Sequence, residues 1–332
     1  MTGRNTGCPR VSLTTLRGGS DAAERMAREL CESLAREPRE IPSKYFYDER
    51  GALLFEQITT LPEYYPTRAE TGILERHASD LVEAVEPEEV VELGAGYSRK
   101  TRLLLEAAMR RRPALRFAAL DVTPEALEDA GRALTTAFPG LRYDGYVGDF
   151  ERDVDRIPRT GRRLLVFLGS TIGNLDPAAR AAFLGHVHEA LAAGDGFLLG
   201  VDLVKDRRVL EDAYNDSRGV TAAFNLNALA VLNDRLGGDF DLDGFEHVAF
   251  WNERESRIEM WVRAKRPMTV RLAAAEFAFD LEAGEQIRTE ISCKFTRAGI
   301  AGELERAGLA LDTWHTDPGD RFALLLARRT DA

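Results

Sequence analysis

A ten-residue segment near position 90 constrains the fold more than any other part of the chain. Residues 90–99 are Val-Val-Glu-Leu-Gly-Ala-Gly-Tyr-Ser-Arg. An apolar, β-branched run ends in Glu-x-Gly-x-Gly and a helical pattern follows, which is typical of the strand, tight turn and helix that open a nucleotide-binding α/β unit. Because glycine has no Cβ, the backbone of such a turn can approach a ligand closely. The segment therefore predicts a parallel α/β fold with a ligand at this turn.

The turn lacks the third glycine of a dinucleotide fingerprint, because Arg99 stands at that position. Without an evident pyrophosphate cradle, the turn favours a nucleoside ligand that carries no phosphates, such as S-adenosylmethionine. A nucleotide-dependent dehydrogenase is disfavoured for the same reason. An ordinary strand–helix turn is the alternative interpretation of these glycines.

From about residue 88 to residue 204 the sequence alternates between strand and helix patterns. Strands are predicted at residues 90–93, 117–120, 143–147, 164–168 and 197–204. Parallel strands joined by helical crossovers form a doubly wound sheet, and its ligands bind beyond the carboxyl ends of the strands. We therefore predict an α/β fold.

The flanks of this region have a different pattern. Residues 20–80 are mostly helical, and the region after residue 245 is rich in strands, with a hairpin turn expected at Arg266-Pro267. The predicted organisation is a disordered leader (1–19), a cofactor-binding domain (70–204) and a second α+β domain built from 20–69 plus 205–332.

The composition disfavours several classes of binding partner for this chain. A net charge of −11 argues against nucleic acid and anionic membrane surfaces, which require clustered Lys and Arg. No apolar run approaches the roughly 18 residues that a membrane-spanning helix needs. The three cysteines are widely spaced and show no metal-binding pattern, which favours a reduced cytoplasmic compartment and no metal. Because no coiled-coil pattern occurs, we expect a monomer.

Polar residues follow several of the predicted strands. Asp121 ends the second strand, where a carboxylate can accept both ribose hydroxyls of a nucleoside. Asp149 follows the third strand and can accept from an adenine amino group, with Phe150 against the ring. Lys100 can reach a ligand carboxylate, and Asn174, in the loop after the fourth strand, offers both a donor and an acceptor. Each assignment has an alternative. The two aspartates could cap helices or turns, Lys100 could be a solvated helix residue, and Asn174 could belong to an ordinary Gly-Asn turn.

Glu290 and Ser292 lie two positions apart on a predicted strand, so their side chains share a face. A carboxylate accepts from one imidazole N–H, and a hydroxyl can donate to or accept from the other ring nitrogen. The pair therefore favours a histidine side chain over an apolar one. An exposed strand face with ordinary polar residues is the alternative.

Longer motifs carry a resemblance that covers the chain from about residue 41 to the end. They are residues 42–48 (Pro-Ser-Lys-Tyr-Phe-Tyr-Asp), 61–70 (Leu-Pro-Glu-Tyr-Tyr-Pro-Thr-Arg-Ala-Glu), the loop 168–174, 224–227 (Phe-Asn-Leu-Asn) and 285–292 (Glu-Gln-Ile-Arg-Thr-Glu-Ile-Ser). On these motifs the chain resembles the histidine-specific Nα-methyltransferases of ergothioneine biosynthesis. The resemblance implies a Rossmann-like class I methyltransferase fold. It also implies that S-adenosylmethionine trimethylates the α-amino group of L-histidine to give hercynine.

The resemblance also implies roles for particular residues. Tyr47, beside the amino nitrogen, and Asn174 are the expected catalytic residues. The expected substrate-binding residues are Tyr64, Asn174 and Tyr214 for the amino acid head group, Glu290 and Ser292 for the imidazole, and Met260 in the wall of the imidazole pocket. The expected cofactor contacts are Gly94, Lys100, Asp121, Asp149 and Phe150. Two alternatives are a methyltransferase of the same fold for another amino acid and a non-catalytic protein that binds S-adenosylmethionine.

Overall fold

The computed structural model describes residues 10–16, 22–46 and 48–330. The strands are β1 (Val11–Thr15), β2 (Arg39–Glu40), β3 (Glu89–Leu93), β4 (Leu115–Asp121), β5 (Leu141–Val147), β6 (Arg163–Phe167), β7 (Gly196–Asp202), β8 (Phe245–Asn252), β9 (Arg257–Ala264), β10 (Met268–Leu272), β11 (Phe277–Leu281), β12 (Gln286–Cys293), β13 (Leu309–Thr316) and β14 (Phe322–Arg329). The α-helices are α1 (Ala22–Leu34), α2 (Glu49–Thr59), α3 (Pro66–Val85), α4 (Thr101–Arg111), α5 (Pro124–Ala137), α6 (Phe150–Asp153), α7 (Pro177–Ala190), α8 (Arg207–Asp212), α9 (Val220–Leu236) and α10 (Arg297–Arg306).

A large mixed sheet forms the centre of the molecule, with strand order β1-β5-β4-β3-β6-β7-β14-β13. The strands from β1 to β7 in this order pair in parallel, and β14 is antiparallel to both of its neighbours. Successive residues of β3 face opposite sides, because Val90 packs with α3, α4 and α5 while Val91 packs with α7 and α10. The prediction of a doubly wound α/β fold is confirmed. The chain order reverses at β3, where such folds bind ligands.

A second sheet has the order β2-β12-β9-β8, and β10 and β11 form a separate antiparallel pair. The apolar face of this four-stranded sheet packs against α9, and the core that they share includes Phe46, Phe224 and Ile258. Strand β12 carries an irregularity in its pairing with β9 between Arg288 and Glu290. An isolated bridge between Leu203 and Phe295 connects the end of β7 with the chain that leaves β12, so the two sheets adjoin there.

The predicted disordered leader is wrong for residues 11–15. This stretch forms β1, which pairs in parallel with β5 at the edge of the large sheet, and Ser12 Oγ donates to Asp144 Oδ1 at 2.8 Å. Its sequence, Val-Ser-Leu-Thr-Thr, is rich in the β-branched residues that favour strands. The rest of the predicted leader, apart from residues 10 and 16, lies outside the described residues.

The assignment of residues 205–332 to a second domain is wrong for the last two strands. The segment from Phe322 to Ala327 is buried at every position and pairs with β7, while β13 forms the edge beyond it. A continuous apolar run of this kind needs cover on both faces, which the large sheet supplies through its flanking helices.

The hairpin predicted around Arg266-Pro267 is also wrong. Strand β9 already has β8 on one side and β12 on the other, so no edge of it is available to β10. Strand β10 instead pairs with β11 through the short turn Ala273–Ala275. No helix in the described part of the chain combines the length and the apolarity that crossing a membrane requires.

Candidate active site

The glycine turn after β3 has the backbone conformation that its sequence predicts. Gly94 has φ +61° and Gly96 has φ +47°, a region that residues with a Cβ rarely adopt. A Cβ placed on Gly96 would meet no heavy atom within 4 Å. The backbone N–H of Gly96 donates to Asp121 Oδ2 at 2.8 Å. The turn is therefore anchored from β4 and has open space on its outer side.

Asp121, at the end of β4, accepts hydrogen bonds from backbone N–H groups through both carboxylate oxygens. Oδ1 accepts from the Thr123 N–H at 2.9 Å. Burial raises the pKa of this carboxyl, and the backbone hydrogen bonds oppose the rise. A carboxylate has about four lone-pair sites, so these two bonds leave Asp121 able to accept further hydrogen bonds.

Asp149 and Phe150 lie at the start of α6. Asp149 Oδ1 caps this helix by accepting from the Glu151 N–H at 3.0 Å, and Oδ2 lies 3.4 Å from Lys44 Nζ. The helix-capping alternative is thus present in the structure. The ring of Phe150 lies 3.8 Å from a Cβ placed on Gly94, so the structure brings Phe150 and the glycine turn together.

Lys100 forms an ion pair with Glu70, a residue that the sequence analysis missed. Glu70 is fully buried on α3, and its carboxylate also accepts from the Gly169 N–H at 2.9 Å and 3.0 Å. It therefore connects the first helix after the glycine turn with the loop after β6. The buried positions 69, 70, 73 and 74 share one face of α3, and an acid on that apolar face was the signal that could have identified Glu70.

A cavity lies between the carboxyl edge of the large sheet and the second sheet. All six predicted substrate-binding residues line it, namely Tyr64, Asn174, Tyr214, Met260, Glu290 and Ser292. Its wall also includes the loop 169–171, Asp202 and Lys294. The six residues come from five separate stretches of the chain, which only the fold brings together. Tyr47, the predicted catalytic tyrosine, lies outside the described residues.

Glu290 faces this cavity from β12, next to Met260 of β9 in the strand register. Burial raises the pKa of its carboxyl to about 7, and the nearby Lys294 opposes that rise. Within residues 10–16, 22–46 and 48–330, no group donates a hydrogen bond to this carboxylate. A partly buried acceptor of this kind favours a ligand with an N–H group.

Ser292, in contrast, belongs to a hydrogen-bonded cluster. Tyr214 Oη donates to Ser292 Oγ at 2.8 Å, and Lys294 Nζ donates to the same oxygen at 2.7 Å. Lys294 also contacts Tyr214 Oη at 3.0 Å and Asp202 Oδ2 at 3.0 Å. Neither Lys294 nor Asp202 was predicted from the sequence. Lys294 continues the alternation of Glu290 and Ser292, which was the signal that could have found it.

The loop after β6 packs directly onto β12. A Cβ placed on Gly173 would lie 2.8 Å from the carbonyl oxygen of Cys293. Because real Cβ atoms do not approach a carbonyl oxygen so closely, only glycine fits between the loop and the strand. The contact holds Asn174, the next residue, close to the strand that carries Glu290 and Ser292.

Comparisons with known proteins identify the family of the chain. The model of a family described as histidine-specific, SAM-dependent methyltransferases matches residues 26–329. A protein named histidine N-alpha-methyltransferase from Mycolicibacterium smegmatis is 49% identical over 96% of this chain and 99% of its own length. One of the same name from Mycobacterium tuberculosis is 46% identical over 96% of this chain and 100% of its length. A solved S-adenosylmethionine-dependent methyltransferase from Clostridium acetobutylicum is 14% identical, with a TM-score of 0.43 over 77% of this chain and 92% of that one.

Proposed function

The chain belongs to the histidine-specific, S-adenosylmethionine-dependent methyltransferases, and from that premise we propose that it methylates the α-amino group of L-histidine. Successive transfers give the trimethylated amino acid hercynine, which is the first step of ergothioneine biosynthesis. The two mycobacterial relatives named for this activity match nearly the full length of the chain.

One observation carries the choice of histidine. Glu290 offers a carboxylate to the same cavity as the Ser292 hydroxyl, and no described residue of the chain donates a hydrogen bond to that carboxylate. A neutral imidazole has one N–H and one unprotonated nitrogen, which match a carboxylate and a hydroxyl. An apolar side chain would leave the Glu290 carboxylate without a donor and the Ser292 O–H without an acceptor, which costs roughly 1–3 kcal/mol for a neutral group and more for a charged one.

The residues around the glycine turn fit S-adenosylmethionine. When bound, this donor supplies an electrophilic methyl group on a sulfonium. Gly94, Lys100, Asp121, Asp149 and Phe150 are the residues that would hold it. The open space above Gly96 admits a ligand, and Asp121 keeps lone pairs for hydroxyl donors. Lys100 is already paired with Glu70, but its ammonium has three donors, so one can serve a ligand carboxylate.

The residues proposed for the head group of the substrate line the same cavity. Asn174 supplies an amide donor and acceptor, and the hydroxyls and rings of Tyr64 and Tyr214 supply polar and aromatic contacts. Methyl transfer needs a neutral amine in line with the donor bond, and positioning of this kind contributes about 7–11 kcal/mol in favourable cases. The trimethylated product has no N–H left to donate, and aromatic rings attract such a fixed cation. The role of Tyr47 in this group stays a prediction.

Product analysis tests the proposal. The purified protein is incubated with S-adenosylmethionine and each amino acid in turn, and products are separated and identified by mass spectrometry. We expect mono-, di- and trimethylated histidine to form in sequence. Cofactor binding without methylation of any amino acid would support a non-catalytic protein instead, and preference for another amino acid would overturn the choice of histidine.

We further infer that the chain acts as a monomer in the cytoplasm, on a small molecule rather than on nucleic acid or a membrane. The net charge of −11, the absence of a coiled-coil pattern in the sequence and the cysteine spacing support this part of the proposal. Sedimentation equilibrium tests the oligomeric state, and a dimer mass at micromolar concentration would contradict it.

A further inference from the structure

A buried lysine, Lys294, lies in the wall of the cavity with Glu290 and Ser292. The side chain of Lys294 is 1% exposed. An ammonium has three N–H donors, and this one has three acceptors within reach, namely Ser292 Oγ at 2.7 Å, Tyr214 Oη at 3.0 Å and Asp202 Oδ2 at 3.0 Å. Each donor is therefore matched by a protein acceptor, so Lys294 has none to spare for a ligand.

This arrangement decides what Ser292 can offer. A serine hydroxyl has one O–H donor and two acceptor lone pairs. Ser292 Oγ accepts from both Lys294 and Tyr214, which uses both lone pairs. The hydrogen of the Ser292 hydroxyl is what remains, and it can donate into the cavity.

The charge states of the two neighbours keep this direction. Burial raises the pKa of Tyr214, with Lys294 opposing, so the phenol keeps its proton and has it available for the hydrogen bond to Ser292 Oγ. Burial disfavours the charge on Lys294, but Tyr214 and Asp202 outweigh it and hold the pKa of the lysine above its ordinary value. A charged lysine has no lone pair, so it can only donate.

We infer that Lys294 is a positioning residue that fixes Ser292 as a donor opposite the acceptor Glu290. The cavity then selects a ring with one N–H and one unprotonated nitrogen. This inference rests on the proposed function, since it refines how that site recognises the imidazole. Neutral imidazole has the required pair, whereas an indole has only the N–H and an imidazolium has two N–H groups.

A competing explanation is that Lys294 only neutralises Asp202. Lys205 provides the matched comparison, because its Nζ lies 2.5 Å from Asp202 Oδ1 and its side chain is only 9% exposed. Its other hydrogen bonds in the described chain go to Tyr65 Oη and the Leu203 carbonyl, not to Ser292 or Tyr214. Lys205→Met therefore removes the same charge from Asp202 without affecting the direction of the serine.

The experiment compares the affinity for L-histidine with that for pyrrolylalanine, in the presence of S-adenosylhomocysteine, by calorimetry. The pyrrol-2-yl and pyrrol-3-yl isomers keep one ring N–H but have carbon where imidazole has its acceptor nitrogen, and the tighter-binding isomer is used. We expect the wild type to prefer histidine by about tenfold or more, because the analogue leaves the Ser292 hydroxyl without an acceptor.

In Lys294→Met this preference should fall to within about threefold, with unchanged affinity for S-adenosylhomocysteine, because Ser292 can then turn toward Tyr214. Lys205→Met should keep the wild-type preference. In a Ser292→Ala background, Lys294→Met should have no further effect on it, as expected for residues that act through one contact.

An unchanged preference in Lys294→Met, an equal loss in Lys205→Met, or additive effects with Ser292→Ala would each overturn the inference. If Lys294→Met fails to fold, the double variant Asp202→Asn/Lys294→Met removes both charges together and must show the same loss of preference. The readout is binding, so a wild type that binds histidine with the expected preference but methylates nothing would refute the proposed function alone.

Discussion

The two walls of the site are built from different kinds of structure. At the carboxyl edge of the large sheet, the geometry is set by backbone: Gly94 and Gly96 have positive φ, and Asp121 accepts from two backbone amides. On the second sheet the geometry is set by side chains, above all Glu290 and Ser292 of β12. The first wall is encoded in a short local motif and the second in residues scattered along the chain. Cofactor binding and substrate choice should therefore be separable by mutation.

The largest effect on ligand affinity should come from removing Glu290, the acid on the second sheet, which we call the substrate wall. Glu290→Ala should weaken L-histidine binding by about 10- to 150-fold, as expected for loss of a charge-assisted hydrogen bond, and leave S-adenosylmethionine affinity unchanged. Calorimetry with each ligand measures both. Glu246→Ala is the matched control, because that acid lies exposed on β8 of the same sheet, beside an exposed Arg263. Unchanged histidine affinity in Glu290→Ala would place the imidazole elsewhere.

A substitution at the carboxyl edge of the large sheet, which we call the cofactor wall, should weaken cofactor binding and spare histidine binding. Glu70→Gln keeps the size of the side chain but removes the charge that pairs with Lys100. We expect S-adenosylmethionine to bind about tenfold more weakly, because Lys100 loses the partner that positions it, and L-histidine affinity to change by less than about twofold.

Arg99→Met is the control for this prediction, since it breaks the neighbouring pair of Arg99 and Glu56, in which the arginine is 73% exposed. Exposed pairs of this kind contribute little. A loss of histidine affinity in Glu70→Gln as large as that for the cofactor would show that the two walls are not independent.

The contrast between the walls also explains which parts of the structure the sequence could predict. The parallel strands β3 to β7 follow from local hydrophobic runs and helix signals, and their pattern appears directly in the sequence. The pairing of β14 with β7 and of β10 with β11 depends on which strand edges are free in the folded protein. That is a tertiary property, so the sequence predicted a region rich in strands after residue 245 but not which strands pair with which.

A similar limit applies to the site. Glu290 and Ser292 were predictable because their spacing places them on one face of a strand, and the structure places both in the cavity. Asp202 and Glu70 act through contacts with residues 92 and 99 positions away, respectively. No local pattern encodes such a partner, although an acid on a buried helix face signals that one must exist.

The two walls meet where the loop after β6 packs on β12, and a substitution at this contact should slow catalysis without changing cofactor affinity. Gly173→Ala places a methyl group against the Cys293 carbonyl, so the loop and β12 must separate. We expect methylated histidine to form about tenfold more slowly, because a shift of roughly 1 Å at the reacting groups can cost that much or more. Cofactor affinity should be unchanged.

Gly185→Ala is the matched control for this contact, since nothing lies within 4 Å of the added Cβ on α7. Alanine should stabilise that helix by about 0.5–1 kcal/mol without changing the rate. If Gly173→Ala has the wild-type rate with both substrates, the contact between the loop and β12 does not position Asn174.

The last effect concerns the stability of the protein without substrate. Burial raises the pKa of Glu290 from its ordinary 4.5 to about 7. Between these values the unfolded chain ionises while the folded chain stays protonated, so this group's contribution to stability is complete below about pH 4.5, falls as pH rises toward 7, and is constant above that. Glu290→Gln lacks the titration, so its stability relative to wild type should rise by about 1–3 kcal/mol across this window.

Urea unfolding from about pH 5 to about pH 8 measures that difference, and Glu246→Gln should stay parallel to wild type throughout. Saturating L-histidine should reduce the difference, because an imidazole N–H stabilises the ionised carboxylate and returns its pKa toward the ordinary value. Saturating S-adenosylmethionine should leave it unchanged, since none of the five expected cofactor contacts lines the cavity that contains Glu290. If the free energies of unfolding of Glu290→Gln and wild type change in parallel with pH, Glu290 is already ionised without substrate. The Glu290 carboxylate would then be stabilised within the protein, as the Asp121 carboxylate is by backbone N–H groups.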